Sequence, residues 1–162
     1  MKKIMFNLIL IFPMISMNAQ KNDNPFLNFW SGPYGGIPAF DQYKLKDLKP
    51  AIENAINEKL SEITTIANNK KPPTFENTIV AMEKAGKKLS QIYAVFGIYS
   101  SNMNTPEFTP IETEMSPKFS EISNKIYQNE KLFQRIETVY NSPEKNKLTP
   151  EQQRLVWLYY SN

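Results

Sequence analysis

From Thr74 to Met103, large apolar side chains recur at alternating steps of three and four: Phe75, Ile79, Met82, Leu89, Tyr93, Phe96 and Met103. That period puts them on one side of an α-helix of about eight turns. Ile92 and Tyr99 widen the line into a stripe broad enough to face a core. Pro72 and Pro73 block helix upstream, Thr74 can cap the first turn and Glu76 faces its positive end. Asn102, Asn104 and Thr105-Pro106 mark the stop. Burying such a stripe stabilises by roughly 1.5–3 kcal/mol per large side chain, and one helix cannot do that without partners.

The same pattern supplies the partners. A preceding helix opens at Asp47, with Pro50 in its first turn, and traces one face through Leu48, Ile52, Ala55, Ile56, Leu60, Ile63, Ile66 and Ala67. The polar turn over 68–73 folds the two helices into an antiparallel hairpin. Gly86 and Gly97 lie eleven positions apart, on nearly one face, where they would let a neighbouring helix approach. A hinge is the other reading of that pair. A third helix, capped by Thr105 with Pro106 at its first position, carries Phe108, Ile111, Met115, Phe119, Ile122 and Ile126, and Pro117 is expected to bend or split it. Asn129 caps a fourth through Leu132, Phe133, Ile136, Val139 and Tyr140. Thr149-Pro150-Glu151-Gln152 is a capping box that opens a fifth, which runs through Leu155, Val156, Trp157, Leu158, Tyr159 and Tyr160 to Ser161-Asn162 with no C-cap. That ending reads as a helix cut short, so truncation of a longer protein is expected.

Ahead of the helices the composition changes. Pro25, Gly32-Pro33, Gly35-Gly36 and Pro38 alternate with Phe26, Phe29, Trp30, Tyr34 and Phe40, which forbids a long helix and predicts an extended arm laid across the helical body. An aromatic platform for sugars or peptides is the alternative. Earlier still, Lys2-Lys3, an apolar run of about 14 residues and Ala19 before Gln20 form a secretory signal, too short for the roughly 17 residues of a spanning helix. The chain therefore divides into a signal peptide (1–19), an extended arm (20–46) and a helical domain (47–162). The fold class is all-α, a bundle of long antiparallel amphipathic helices behind an aromatic, Pro- and Gly-rich arm. Export to the periplasm follows, with no stable membrane insertion after cleavage.

Composition then narrows the chemistry. An apolar share of 41% with 12% aromatics is enough for a core in 162 residues. There is no histidine and no cysteine, which removes the commonest metal ligands, the usual general base and any disulfide. Loss of Lys2 and Lys3 with the signal leaves a formal charge of +1 in place of +3, too little to predict a nucleic-acid partner. Glu112 and Glu114, two apart on a helix, face different directions and make no catalytic pair. Lys84, Lys87 and Lys88 read as a solvated basic face, partly relieved by Glu83 at i,i+4 from Lys87. No catalytic, cofactor-binding or metal-ligating residue is identified, and no cofactor is expected in this chain.

Several blocks, taken in order, resemble the N-terminal region of the thimet oligopeptidase and neurolysin family of zinc metallopeptidases, in its bacterial peptidyl-dipeptidase and oligopeptidase A branch. They are Asn24-Pro25-Phe26-Leu27, Pro33-Tyr34-Gly35 with Pro38-Ala39-Phe40-Asp41, Leu48-Lys49-Pro50-Ala51-Ile52, Ser116-Pro117-Lys118-Phe119-Ser120, Asn129-Glu130-Lys131-Leu132-Phe133 and Leu148-Thr149-Pro150-Glu151-Gln152-Gln153-Arg154-Leu155. The most specific is Pro73-Thr74-Phe75-Glu76-Asn77-Thr78-Ile79-Val80-Ala81-Met82-Glu83. The resemblance implies an all-helical protease whose N-terminal helices form one wall of a deep channel that admits short peptides. In that family a His-Glu-x-x-His helix with a further Glu holds zinc, far downstream, and the Glu between the histidines acts as base to the bound water. Without a histidine, none of those residues maps onto this chain, so zinc is expected only in a full-length member. Two other readings stand beside this one: a self-contained helical peptide-binding module of the cell envelope, and an assembly protein that associates through Trp157, Tyr159 and Tyr160.

Overall fold

The computed structural model describes residues 23–34 and 36–161, and the signal segment lies outside them. Its organising element is the first helix, α1 (Leu45–Ala67). A six-residue π-type turn, Phe75–Val80, runs straight into the short α2 (Ala81–Lys84). Then follow α3 (Lys87–Ser101), α4 (Thr109–Tyr127), α5 (Glu130–Asn141) and α6 (Pro150–Ser161). Among the described residues no strand forms, and one isolated bridge joins Ser31 to Ile37. The all-α expectation holds.

Two apolar clusters make the core, and α1 serves both. Its N-terminal half gives Leu48, Ala51, Ile52 and Ala55 to a cluster with Leu89, Ile92, Val95 and Phe96 of α3 and Met115 and Ile122 of α4. Its C-terminal half gives Ile63, Ile66 and Ala67 to a second cluster with Ile79, Met82, Leu132, Ile136, Val139 and Val156. Ile126 packs against both. The pairings fix the directions of the helices. Lys88 meets Glu58 at 2.7 Å while Ile79 joins Ile63 and Ile66, so the chain returns antiparallel to α1. Lys49 pairs with Glu114 and Lys118 with Glu53, at 2.7 and 2.6 Å, so α4 runs parallel to α1 and antiparallel to α3.

The Thr74–Met103 helix is not continuous. Gly86 adopts φ +76°, preceded by extended Ala85, and the chain turns there. The Gly86 N–H donates to Glu62 Oε2 at 2.6 Å, which replaces the lost helical bond. The break lies between the two clusters, with Phe75–Lys84 in one and α3 in the other. It also explains why the expected Glu83–Lys87 pair does not form. Tyr93, placed on the core face by a continuous helix, is 56% exposed, and Met103 lies outside the core as well. Gly97 has no neighbour within 4 Å of where its Cβ would stand, so it admits no close helix.

Other boundaries shift less. α1 starts at Leu45, two residues before Asp47, and α4 starts at Thr109, after a turn in which the Thr105 carbonyl accepts from Phe108 and Thr109. Pro117 does not split α4, which runs through it. Both Pro117 and Thr113 are exposed, so water can satisfy the carbonyl that proline leaves without a donor. The caps at Thr74, Asn129 and Thr149 form as expected.

The arm divides in two. Asn24 caps a 3₁₀ turn, Pro25–Leu27, and donates to the Asp47 carbonyl at 2.7 Å. Phe26 is buried against Tyr43, rings stacked at 4.1 Å, and Leu27 is buried beside it. Beyond them Phe29, Tyr34 and Ile37 stand in solvent, with the Lys87 and Lys88 ammonium groups 5.6 and 5.8 Å from the Phe29 ring.

Two stability predictions follow from these contacts. Gly86→Ala destabilises by about 1–2 kcal/mol, because a left-handed φ is strained for Ala and the new Cβ meets the Lys59 stem, whereas Gly97→Ala stabilises by about 0.5–1 kcal/mol. Urea denaturation of the two variants must give opposite signs. Tyr159 donates to Glu83 Oε1 at 2.6 Å, and burial, with Glu83 adding to it, pushes its phenol well above the ordinary range. A phenol whose folded value is raised contributes stability that is complete below the unfolded value of about 10 and is lost as pH rises past it. Wild type should therefore exceed Tyr159→Phe by about 1 kcal/mol at pH 8 and lose that margin between about pH 10 and 12 in thermal melts. A margin independent of pH would count against the bond.

Candidate functional site

Thr74, Asn77, Thr78 and Glu83 of the most specific sequence block, Pro73 to Glu83, are used within the fold, and Glu76 is exposed. Thr74 Oγ1 accepts from the Asn77 N–H at 3.1 Å, and Asn77 Oδ1 accepts from the Thr74 N–H at 2.9 Å. The same Oδ1 accepts from Arg135 at 2.8 Å and from the Thr78 hydroxyl at 3.0 Å. Arg135, only 6% exposed, also donates to the carbonyls of Asn69 (2.7 Å) and Lys71 (3.2 Å). Burial pulls its guanidinium below the ordinary range, yet an arginine stays charged. Among the described residues it has no carboxylate partner, and its charge is met by carbonyl and amide oxygens. This clamp ties the 68–74 connector to α5. Arg135 was missed in the sequence although a signal was there: three positions after Leu132 and four before Val139, it lies beside the apolar face of α5, whereas Gln134 lies on the opposite side.

Several other titratable groups are engaged as well. Glu112 accepts from the Ser100 hydroxyl, whereas Glu114 takes Lys49, and Lys118 at 3.7 Å, so the two carboxylates look toward different helices. The Lys49 hydrogen bond first, and then the charges of Lys49 and Lys118, hold Glu114 below the usual carboxylate range. Lys87 and Lys88 serve the Phe29 ring and Glu58. Zinc does not fit this donor set. The sequence holds no histidine or cysteine, and among the described residues no three carboxylates gather.

What the fold does offer is a groove. Between α1, α3 and α4 lies an open cleft of about 670 Å³ with an apolar floor of Leu89, Phe96 and Ile122. Tyr93 and Phe119 stand edge to face on it, ring centres 4.8 Å apart. Ser116, Ser120 and Ser123 recur along the α4 rim at steps of four and three, the spacing of one helical face. Ser123 donates to the Phe119 carbonyl, while the Ser116 and Ser120 hydroxyls make no hydrogen bond to any described residue. Lys59 of α1 closes one side. A smaller hollow of about 170 Å³ shares Lys59 and Ser123 with the groove and is walled by Ile63, Met82, Leu132 and Ile136. An apolar floor with a few converging polar groups suits binding of a small ligand or peptide rather than its chemical conversion.

Comparison with known proteins places this arrangement in a lineage. Residues 52–159 match the family described as the neurolysin/thimet oligopeptidase N-terminal domain. Over 133 residues the chain is 35% identical to a dipeptidyl carboxypeptidase of Escherichia coli, and 32% identical to one of Salmonella typhimurium, in each case 82% of this chain and 19% of the relative. Against oligopeptidase A of Haemophilus influenzae it is 27% identical over 122 residues, 75% of this chain and 17% of that protein. The chain thus spans about a fifth of the length of the curated relatives it matches. With its helices, caps and Arg135 clamp built around the matched segment, it belongs to the neurolysin/thimet oligopeptidase N-terminal domain family, a domain of metallopeptidases.

Proposed function

We propose that the chain is the N-terminal scaffold of an exported, zinc-dependent peptidyl-dipeptidase, where it forms one wall of the channel that receives short peptides. The observation that carries this reading is a pairing: a match to dipeptidyl carboxypeptidases over 133 residues, on a scaffold that holds an open groove of about 670 Å³ and, among its described residues, no cluster of metal-ligating side chains. Zinc and the residues that hold it would lie outside these 162 positions. Here the chain's own residues shape and line the path rather than cut the bond. The groove sorts by size and polarity, and the salt bridges from α4 to Lys49 and Glu53 keep its outer rim in register with α1.

The purified chain, given zinc and a blocked tripeptide, should release no dipeptide by chromatography. Placed in the E. coli dipeptidyl carboxypeptidase in exchange for the segment it matches, it should support release. Chelator-sensitive hydrolysis by the chain alone, or a folded chimera without activity, would overturn the assignment. For export, N-terminal sequencing of the periplasmic protein should begin at Gln20, and an intact Met1 in the cytoplasmic fraction would reject the signal.

A further inference from the structure

We propose that the cleft where α5 meets the 68–74 connector is a binding site for a phosphoryl group, carried by a small soluble molecule or a lipid headgroup and held by Lys70, Lys131 and Arg135. The inference is independent of the peptide-channel reading, because it uses another face of the fold and another chemistry.

Across a cleft of about 400 Å³, Asn69 and Lys70 of the connector stand opposite Lys131, Gln134 and Arg135 of α5. Every charged group in its lining is positive. Lys70 makes no ion pair or hydrogen bond with any described residue, and Lys131 donates only to the neutral Asn68 amide oxygen, at 3.2 Å. The lysines of the other helical faces are better matched: Lys49, Lys88, Lys118 and Lys125 each meet a carboxylate at 2.6–2.7 Å. Arg135 lies deepest. Its Nη1 donates to the Asn69 and Lys71 carbonyls and its Nη2 to Asn77 and Thr78, which accounts for four of the five guanidinium N–H groups. The fifth, on Nε, is buried without an acceptor. Neutral oxygens satisfy those donors but leave the charge uncancelled beneath the cleft.

Two readings internal to the fold fall short. The cations could answer the negative end of α1, which stops beside the cleft. That end carries about half an elementary charge, so three unit charges exceed it about sixfold, and its Thr64 and Ile66 carbonyls already accept from Asn68 and Asn69. A solvated basic face, for its part, needs no buried member, and Arg135 is only 6% exposed. A bound anion accounts for both features. One cation is enough for a carboxylate, whereas this lining suits the charge of a phosphate monoester, about −1.5 to −2 at pH 7, for which lysines serve as point charges. The side-chain NH₂ groups of Asn69 and Gln134 donate to no described residue and are available to its oxygens. The cleft is also larger than one phosphate, which leaves room for the group that carries it.

The test is a calorimetric titration of the full 162-residue chain with glycerol 3-phosphate, with glycerol as control. The phosphate ester should bind saturably at one site and glycerol should not bind. Lys70→Gln with Lys131→Gln, both exposed positions that leave the Arg135 clamp in place, should weaken binding at least tenfold. Lys44→Gln with Lys46→Gln removes the same charge at the far end of α1, about 30 Å away, and should leave it unchanged. The Arg135 Nε–H resonance should move during the titration. Sedimentation with phosphatidylcholine vesicles, with and without phosphatidic acid, separates the sources: pelleting that needs phosphatidic acid and both lysines assigns a lipid headgroup, and ester binding without pelleting assigns a soluble ligand. No saturable binding of either probe, equal weakening by the two double variants, or an unmoved Arg135 Nε–H resonance would each overturn the site. If the Lys70 and Lys131 variant does not fold, the Arg135 resonance in wild type decides.

Discussion

A single helix must satisfy two hydrophobic clusters at once, and most features of this fold can be traced to that demand. The apolar positions of α1 run its whole length, but its first half faces α3 and α4 while its second half faces the Phe75–Lys84 segment, α5 and α6. A straight helix returning along α1 could not pack well in both. The chain resolves the conflict at Gly86, which turns through a left-handed conformation where one cluster gives way to the other. Glu62 accepts the N–H freed at the turn, and the Lys59 stem covers the glycine.

The second constraint is the buried charge of Arg135. Burying a guanidinium without a carboxylate is unfavourable unless its donors are met, and here they are met by carbonyls of the 68–74 connector, by Asn77 and by Thr78. Nε has no partner in the fold. The arrangement fixes the connector to α5 with directional bonds, which apolar packing alone would not do for a loop of Asn, Lys and Pro. The Thr74 cap, Asn77 and Thr78 thus act as one unit with a residue nearly sixty positions away. The block that is most telling as a family signature is a structural lock, with Thr74, Asn77 and Thr78 all occupied within the fold.

Local rules were legible where local physics decides. Thr74, Asn129 and Thr149 cap their helices because the capping bond lies within three residues, and the apolar period located α1, α4, α5 and α6 to within a few positions. The failures come from tertiary context. Gly86 followed the helical period on both sides, so its φ could be known only from the two clusters that pull its flanks apart. Pro117 was expected to bend or split α4, but it lies on the outer surface, where solvent can stand in for the missing donor, and the helix runs through it. In the arm, Phe26 and Leu27 had a groove to fill and Trp30 packs against the core, whereas Phe29, Tyr34 and Ile37 stay exposed, Phe29 beneath the Lys87 and Lys88 ammonium groups.

The groove was illegible for a different reason. Ser116, Ser120 and Ser123 are ordinary surface residues in sequence, and Tyr93 looked like core. They become one lining only because α4 runs parallel to α1 and antiparallel to α3, an orientation held by the burial of Met115 and Ile122 against both helices and matched at the rim by the Lys49–Glu114 and Lys118–Glu53 pairs. Exposed pairs of this kind add little to stability, about 0–1 kcal/mol each. Their influence is on alignment: a one-turn slip of α4 would separate both pairs together and carry the serine row past Tyr93. Hydrophobic packing thus makes the floor and sets the register, the rim pairs agree with that register, and the polar groups that converge over the floor follow from it.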